Sequence, residues 1–242
     1  MAAQDQTITK DKDKTVPFAL EKLDQGRHGH LRRRAVEDYR FAAEFSTVPV
    51  AAVEMVEAAR TLPVVFIGAD NPLPHVVLGL EPQSNAMVGR DGAWRAGYVP
   101  AALRHYPLAL VPGDNGAPAV GIDAAATVLG DEGHALFGTD GSHSDYVRQT
   151  VDFMTKLVAE YEVTRKALGQ VVAAGLLVQR QAQIRVAGSE QPRGINYWAV
   201  DVERLHALPD ATLAAWVRDH TMALIHSHLG SQGNFARLAS QG

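Results

Sequence analysis

The densest group of residues able to do chemistry is the run Trp94, Arg95, Tyr98, Arg104, His105 and Tyr106. Aromatic faces stack planar or cationic groups, and a guanidinium fixes an acidic one through paired N–H donors. Brought together in a concavity, these six residues form a ligand pocket for a small acidic or aromatic molecule. The plainer reading is that Trp94 and Tyr98 cover one side of a sheet, with Pro100 and Pro107 framing a short helix. No catalytic residue is assigned.

Two His-x-His pairs, His28/His30 and His226/His228, are the next candidates. On a strand such a pair shares one face and could chelate a metal. On a helix the two rings diverge by about 200°. His226 and His228 fall in the expected last turn of a helix, and His28 and His30 stand among Arg27, Arg32, Arg33 and Arg34, whose charge repels a cation. No metal site is expected. The basic run Arg27–Arg34 could hold phosphate or carboxylate, or be a solvated loop whose arginines pair with acidic residues such as Glu37 and Asp38; the second reading is favoured. Ser142-His143 with Asp140 and Asp145 resembles a hydrolytic triad by letters only, and a turn with a helix cap explains it better. There is no His-Glu-x-x-His, Walker loop or Gly-x-Ser-x-Gly elbow, so no cofactor is expected.

The positioning elements follow from periodicity. Tyr39–Ala43 reads as a strand, and Pro49–Val53 begins a helix that runs to Pro63. Val64–Ile67 and His75–Leu80 are strands joined by a turn. Met87-Val88 suggests a further strand closed by Gly89–Gly92, where Asp-Gly favours positive φ. Pro100–Tyr106 has helical spacing, and Leu108–Val111 and Ala119–Asp123 read as strands. Ser144 caps a long helix reaching about Ala174, with Tyr146, Val147, Val151, Met154, Leu157, Val158, Tyr161 and Leu168 on one apolar stripe. Ile184–Val186 and Ile195–Val202 read as strands, and Pro209–Leu229 as a final helix ended by Gly230. The predicted fold class is α+β, a mostly antiparallel sheet from the N-terminal half packed by helices from the C-terminal half. Residues 1–15 are polar and expected to be a disordered tail, followed by a single domain over 16–242.

Composition sets outer limits. The chain has 242 residues, 46% of them hydrophobic and 21% charged, enough to bury a substantial core. A formal charge of −4 argues against general affinity for nucleic acid. The absence of cysteine removes disulfides and thiolate chemistry. Neither a secretory leader nor an apolar run of ~20 residues is present, so no integral membrane segment is expected. Cytoplasm is the default location, with signal-free export to the cell surface left open.

Three blocks carry a family resemblance. RHGHLRRRAVEDYRFAAEFSTVPVAAVEMVEAARTLPVVF (Arg27–Phe66) looks like the opening block of the SapC family. DGAWRAGYVPAALRHYPLALVP (Asp91–Pro112) is similar to its most distinctive segment, an aromatic-Arg-x-x-Tyr-Val-Pro stretch followed by Arg-x-Tyr-Pro. NYWAVDVERLHALPD and LIHSHLGSQGNFARL resemble its closing block, except that the family more often carries one histidine before the leucine, where this chain has His226 and His228. The resemblance implies a bacterial protein in a surface-layer context, or an accessory to nutrient uptake beside outer-membrane receptors and flavin-dependent halogenase-like enzymes. It supplies no catalytic residue set. The leading expectation is a non-catalytic accessory or ligand-binding protein of a cell-envelope, surface-layer or nutrient-uptake system. Its partners would be a small-molecule or peptide ligand, and an uptake system or a neighbouring modifying enzyme. The alternatives are an enzyme or enzyme subunit working around residues 94–106, and a self-assembling surface-layer component.

Overall fold

The computed structural model describes residues 19–113, 116–184 and 193–241. The expected tail, 1–15, and Arg185 and Val186 of an expected strand lie outside them. The first half is built from short pieces: β1 (Leu20–Lys22), α1 (Gln25–His28), β2 (Arg32–Arg33), β3 (Thr47–Pro49), α2 (Ala52–Ala58), β4 (Val64–Ile67), β5 (Leu73–Val77), α3 (Ala101–Arg104), β6 (Leu108–Pro112), β7 (Pro118–Asp123), β8 (Leu129–Gly130) and β9 (His134–Ala135). The long helix α4 (Asp145–Ala173) follows, then the hairpin β10 (Leu177–Ile184) and β11 (Arg193–Val200). Four helices close the chain: α5 (Val202–His206), α6 (Asp210–Arg218), α7 (Thr221–Ser231) and α8 (Asn234–Gln241).

The fold is α+β, and its strands pair antiparallel in three sheets, β1-β7-β6, β10-β11-β4-β5-β3 and β8-β2-β9. The five-stranded sheet takes β10 and β11 from the C-terminal half. Helix α4, 29 residues and therefore about 43 Å long, links the layers. The Ser144 hydroxyl accepts from the Val147 amide at its start. Its buried residues Val147, Met154, Leu157, Thr164, Leu168 and Val171 recur at steps of three, four or seven residues along one face. Val147 and Met154 pack with Leu108, Ile122 and Leu136 over the first sheet, whereas Leu168 and Val171 join Phe66, Leu176 and Ile225 in the larger core. Among the described residues no helix is long and apolar enough to cross a membrane.

Local chemistry explains where the elements depart from the periodicity. Tyr39–Ala43 is not a strand: the Asp38 carboxylate accepts the Arg40 amide at 2.9 Å and folds Arg40–Ala42 into a 3₁₀ turn. Pro49 ends β3, and the helix after it starts only at Ala52. Met87-Val88 contributes one bridge, Val88 to Trp94. The last helix divides at His220, whose φ of 67° breaks the turn, while the Asp219 carboxylate accepts the Thr221 amide and starts α7. Gly230 does not end α7, which continues to Ser231 before α8 begins.

The join between β4 and β11 is the least regular part of the large sheet. Trp198 faces Phe66, the one directly paired position. Two residues further along each strand, Val200 and Val64 are bridged by the imidazole of His228 instead. Its Nδ1–H donates to the Val64 carbonyl at 2.8 Å, and its Nε2 accepts the Val200 amide at 3.3 Å. The ring is fully buried beside Phe66, and burial lowers its pKa to about 4. The following turn reinforces the join. Ser231 Oγ accepts from the Val64 amide at 2.9 Å, Gln232 donates to the Val64 carbonyl at 3.0 Å, and Asn234 donates to the carbonyls of Ala59 and Leu62.

A neutral histidine in the folded state and an ordinary one in the unfolded state give a definite pH dependence. Stability is complete above about pH 6.5 and declines as pH falls toward 4, because only the unfolded chain takes up the proton there. His228 contributes on the order of 3 kcal/mol across that window, and His75, also lowered to about 4 by burial, acts in the same direction. Urea unfolding at pH 7 and pH 4.5 checks this, and equal stability at the two values contradicts it. His228→Ala, which leaves the buried Val200 amide unpaired and takes one donor from the Val64 carbonyl, should cost about 3 kcal/mol at pH 7 and flatten the profile.

Candidate functional site

A buried carboxylate organises the segment singled out by its aromatic and arginine content. Glu54, in the first turn of α2, is only 6% exposed. One of its oxygens accepts from the Tyr98 hydroxyl at 2.9 Å and the Ala101 amide at 2.8 Å; the other accepts from the Ala51 amide at 2.9 Å. Ala51 has no side chain with which to cap α2, so the carboxylate takes that role. Thr164 of α4 completes it by accepting the Ala52 amide at 2.8 Å. Glu54 thus pins α3, and with it Arg104, to α2. Burial and the neighbouring Glu54 push the Tyr98 hydroxyl up to about 12, which keeps it a donor.

The six residues are divided among four environments. Trp94 and Tyr98 pack around the Glu54 anchor: the Trp94 indole N–H donates to the Tyr98 carbonyl at 2.9 Å, and the Arg104 guanidinium lies over the Tyr98 ring at 4.8 Å. Arg95 is exposed and pairs with Asp91 at 3.8 Å. Tyr106 is buried, stacked on Phe41 at 3.9 Å, with its hydroxyl donating to Asp123 at 2.9 Å; burial first, and then that carboxylate, raises its pKa. Arg104 and His105 alone reach an open cleft of about 260 Å³, where they meet Arg33, Tyr146, Gln149, Thr150 and Phe153.

The cleft is basic and half apolar. Arg33 Nε and Nη2 both donate to the Tyr106 carbonyl, at 3.4 and 3.2 Å, and its guanidinium lies 5.6 Å from the centre of the Tyr146 ring. Arg104 Nε donates to the Val99 carbonyl at 2.8 Å. Among the described residues no carboxylate pairs with either arginine. His105 donates from Nδ1 to the Leu108 carbonyl at 2.6 Å, and burial lowers its pKa, so the ring is neutral, and among the described residues its Nε2 has no partner. Thr150 donates to the Tyr146 carbonyl at 2.8 Å, which leaves no activated hydroxyl beside His105.

The sequence signals for the missed half of the cleft were present but scattered. Arg33 follows Arg32 along β2 and so faces away from it. Tyr146, Gln149, Thr150 and Phe153 follow the i, i+3, i+4, i+7 rule of one helical face, next to the buried stripe. Among the described residues the basic run does not pair with Glu37 or Asp38, although one of its arginines finds another carboxylate. Arg27 binds Glu21, Asp38 binds Arg40, and Arg32 and Arg34 donate to the carbonyls of Gly133 and Thr127.

The remaining candidates are engaged elsewhere. His28 is buried, donating to Glu21 at 2.9 Å and accepting the Asp24 amide at 3.0 Å, while His30 and His226 are exposed. Ser142 bonds Asp140 within a turn, and His143 packs on Phe137. The SapC family model matches residues 23–238. No curated protein and no solved structure matches.

Tyr98→Phe keeps the ring beneath Arg104 and removes one donor from the buried carboxylate. It should destabilise the chain by about 2 kcal/mol in urea unfolding. A change below about 0.5 kcal/mol would show that Glu54 does not depend on this bond.

Proposed function

The chain belongs to the SapC family, and on that footing we propose that it is a non-catalytic accessory protein that holds a small acidic molecule for a cell-envelope, surface-layer or nutrient-uptake system. One observation carries the binding part of this reading: two arginines that no carboxylate pairs with among the described residues line one open cleft with aromatic side chains in its wall. Uncompensated guanidinium groups beside apolar surface favour an anion with a hydrophobic portion. A volume of about 260 Å³ suits a small molecule rather than a peptide. The envelope or uptake setting rests on the family resemblance.

A second reading, an enzyme or enzyme subunit acting on the same class of ligand, draws support from His105. Its Nδ1–H is fixed by a backbone carbonyl, the arrangement that leaves Nε2 ready to accept a proton. The nearby Thr150 hydroxyl is turned to its own helix, which favours binding over covalent catalysis.

Native mass spectrometry of the chain taken from its own cells should reveal a retained small acid. Arg104→Gln should lower its affinity about 10- to 100-fold, since hydrogen bonds to a charged partner contribute about 1.5–3 kcal/mol. Recovery of the wild-type chain with an uncharged ligand, or an acid held equally well by the variant, would overturn the assignment.

A further inference from the structure

We propose that the outer edge of β10 is a docking surface for a second copy of this chain, paired antiparallel across a two-fold axis at Gln181. The cleft plays no part in it.

β10 stands at the end of the five-stranded sheet, and at eight residues it matches β11 in length. One bond at its base fixes the direction of its backbone groups. The Asp201 amide donates to the Leu176 carbonyl at 2.8 Å, so Leu176 points toward β11. Direction alternates along an antiparallel strand, and the register from Leu177–Val200 to Ile184–Arg193 runs without a bulge. The backbone groups of Val178, Arg180 and Ala182 therefore turn to β11, and those of Leu177, Gln179, Gln181 and Gln183 turn away. The neighbouring strand gives the same phase, since the Val200 amide points away from β10, to His228. Among the described residues no other backbone group pairs with the outward set.

An open edge is a template for another strand, and folded proteins usually blunt it with proline, a bulge or several charges. β10 has no proline and no bulge, and its one charge is Arg180. Self-pairing must match outward residues with outward residues, so the two-fold axis falls on a residue rather than between two. Centred on Arg180, the arginines of the two copies stand directly opposite, which their like charges disfavour. Centred on Gln179, Ala182 to Ile184 of the second copy would run past Leu177 into the end of α4. Gln181 avoids both conflicts. Arg180 then faces Ala182 of the second copy, and Gln181 faces its own counterpart. Gln181 is exposed and uncharged, and a primary amide carries both a donor and an acceptor, so it complements itself. Gln179 exchanges backbone bonds with Gln183 of the second copy, and Gln181 with itself. Such a two-fold contact uses the same edge on both chains and closes as a dimer rather than a fibre.

Sedimentation equilibrium of the full chain should show the mass rising with concentration from one chain to two. Gln181→Pro removes an outward N–H and leaves the ladder to β11 intact. It should raise the dimer dissociation constant about 10- to 100-fold, the effect of the backbone bonds lost at the axis. The chain has no cysteine, so an introduced one gives a separate readout. In Gln181→Cys the two Cα atoms would stand about 5.5 Å apart, within disulfide range, and oxidation should link the copies. Gln179→Cys, about 14 Å from its counterpart, should stay unlinked. If the proline variant fails to fold, the cysteine pair decides. A monomer at every concentration, a dimer that Gln181→Pro leaves as tight as before, or a cross-link at 179 in place of 181 overturns the proposal. So does a monomer found with an extended peptide of another protein along β10.

Discussion

One neutral imidazole stands where a rung of the main sheet would otherwise be. Val64 and Val200 come from opposite halves of the chain, and His228 connects the carbonyl of one to the amide of the other. Without the ring, the Val200 amide would lie unpaired in the interior, at a cost of about 1–3 kcal/mol, and the Val64 carbonyl would fall back on Gln232. The join also decides what else can pack. It places the hairpin of β10 and β11 beside β4, and so brings Ile195 and Val200 into the same core as Phe66 and Leu176. Ser231, Gln232 and Asn234 extend the same device along the stretch from Ala59 to Val64. The closing block of the family resemblance is therefore read physically as a set of side chains that satisfy buried backbone.

Glu54 follows the same logic in the other distinctive block. Its carboxylate is buried and has no cationic partner among the described residues, yet three donors surround it, two of them backbone amides. A charge so held is tolerable because every bond to it is charge-assisted. The consequence reaches the surface. By fixing Ala101 and Tyr98, it sets the position of α3, whose last residue is Arg104. Stability and binding meet at this point: the polar groups of the interior hold the scaffold, and the groups left over at its edge, Arg33, Arg104 and His105, face an open cleft.

How much of this was legible in the sequence depends on the range of the interaction. The α4 stripe and the Ser144 cap are local, and both stand where periodicity placed them, except that Val158 of the expected stripe is exposed. So does the Val64–Ile67 strand, an apolar run that needs no partner to be recognised. Features set by distant contacts were hidden. Tyr39–Ala43 has strand-like letters, but Asp38 turns it. Gly230 has the composition of a helix end, yet the helix passes through it and breaks earlier at His220, where no glycine marks the left-handed turn. At the cleft, Arg104 and His105 were visible as part of a dense cluster. Arg33 and Tyr146 were not joined to them, because β2 and α4 meet α3 only in three dimensions. The role of Glu54 was equally unreadable, since a glutamate at that place in a helix is ordinary until its neighbours are known.

The account turns on the protonation and placement of a single ring. Long-range ¹H–¹⁵N correlation of the His228 imidazole, followed from pH 7.5 down to 5, examines it directly. A neutral ring protonated at Nδ1, with a slowly exchanging proton and no titration in that range, is the result expected. A ring protonated at Nε2, or one that takes up a second proton near pH 6.5 while the chain stays folded, would contradict it.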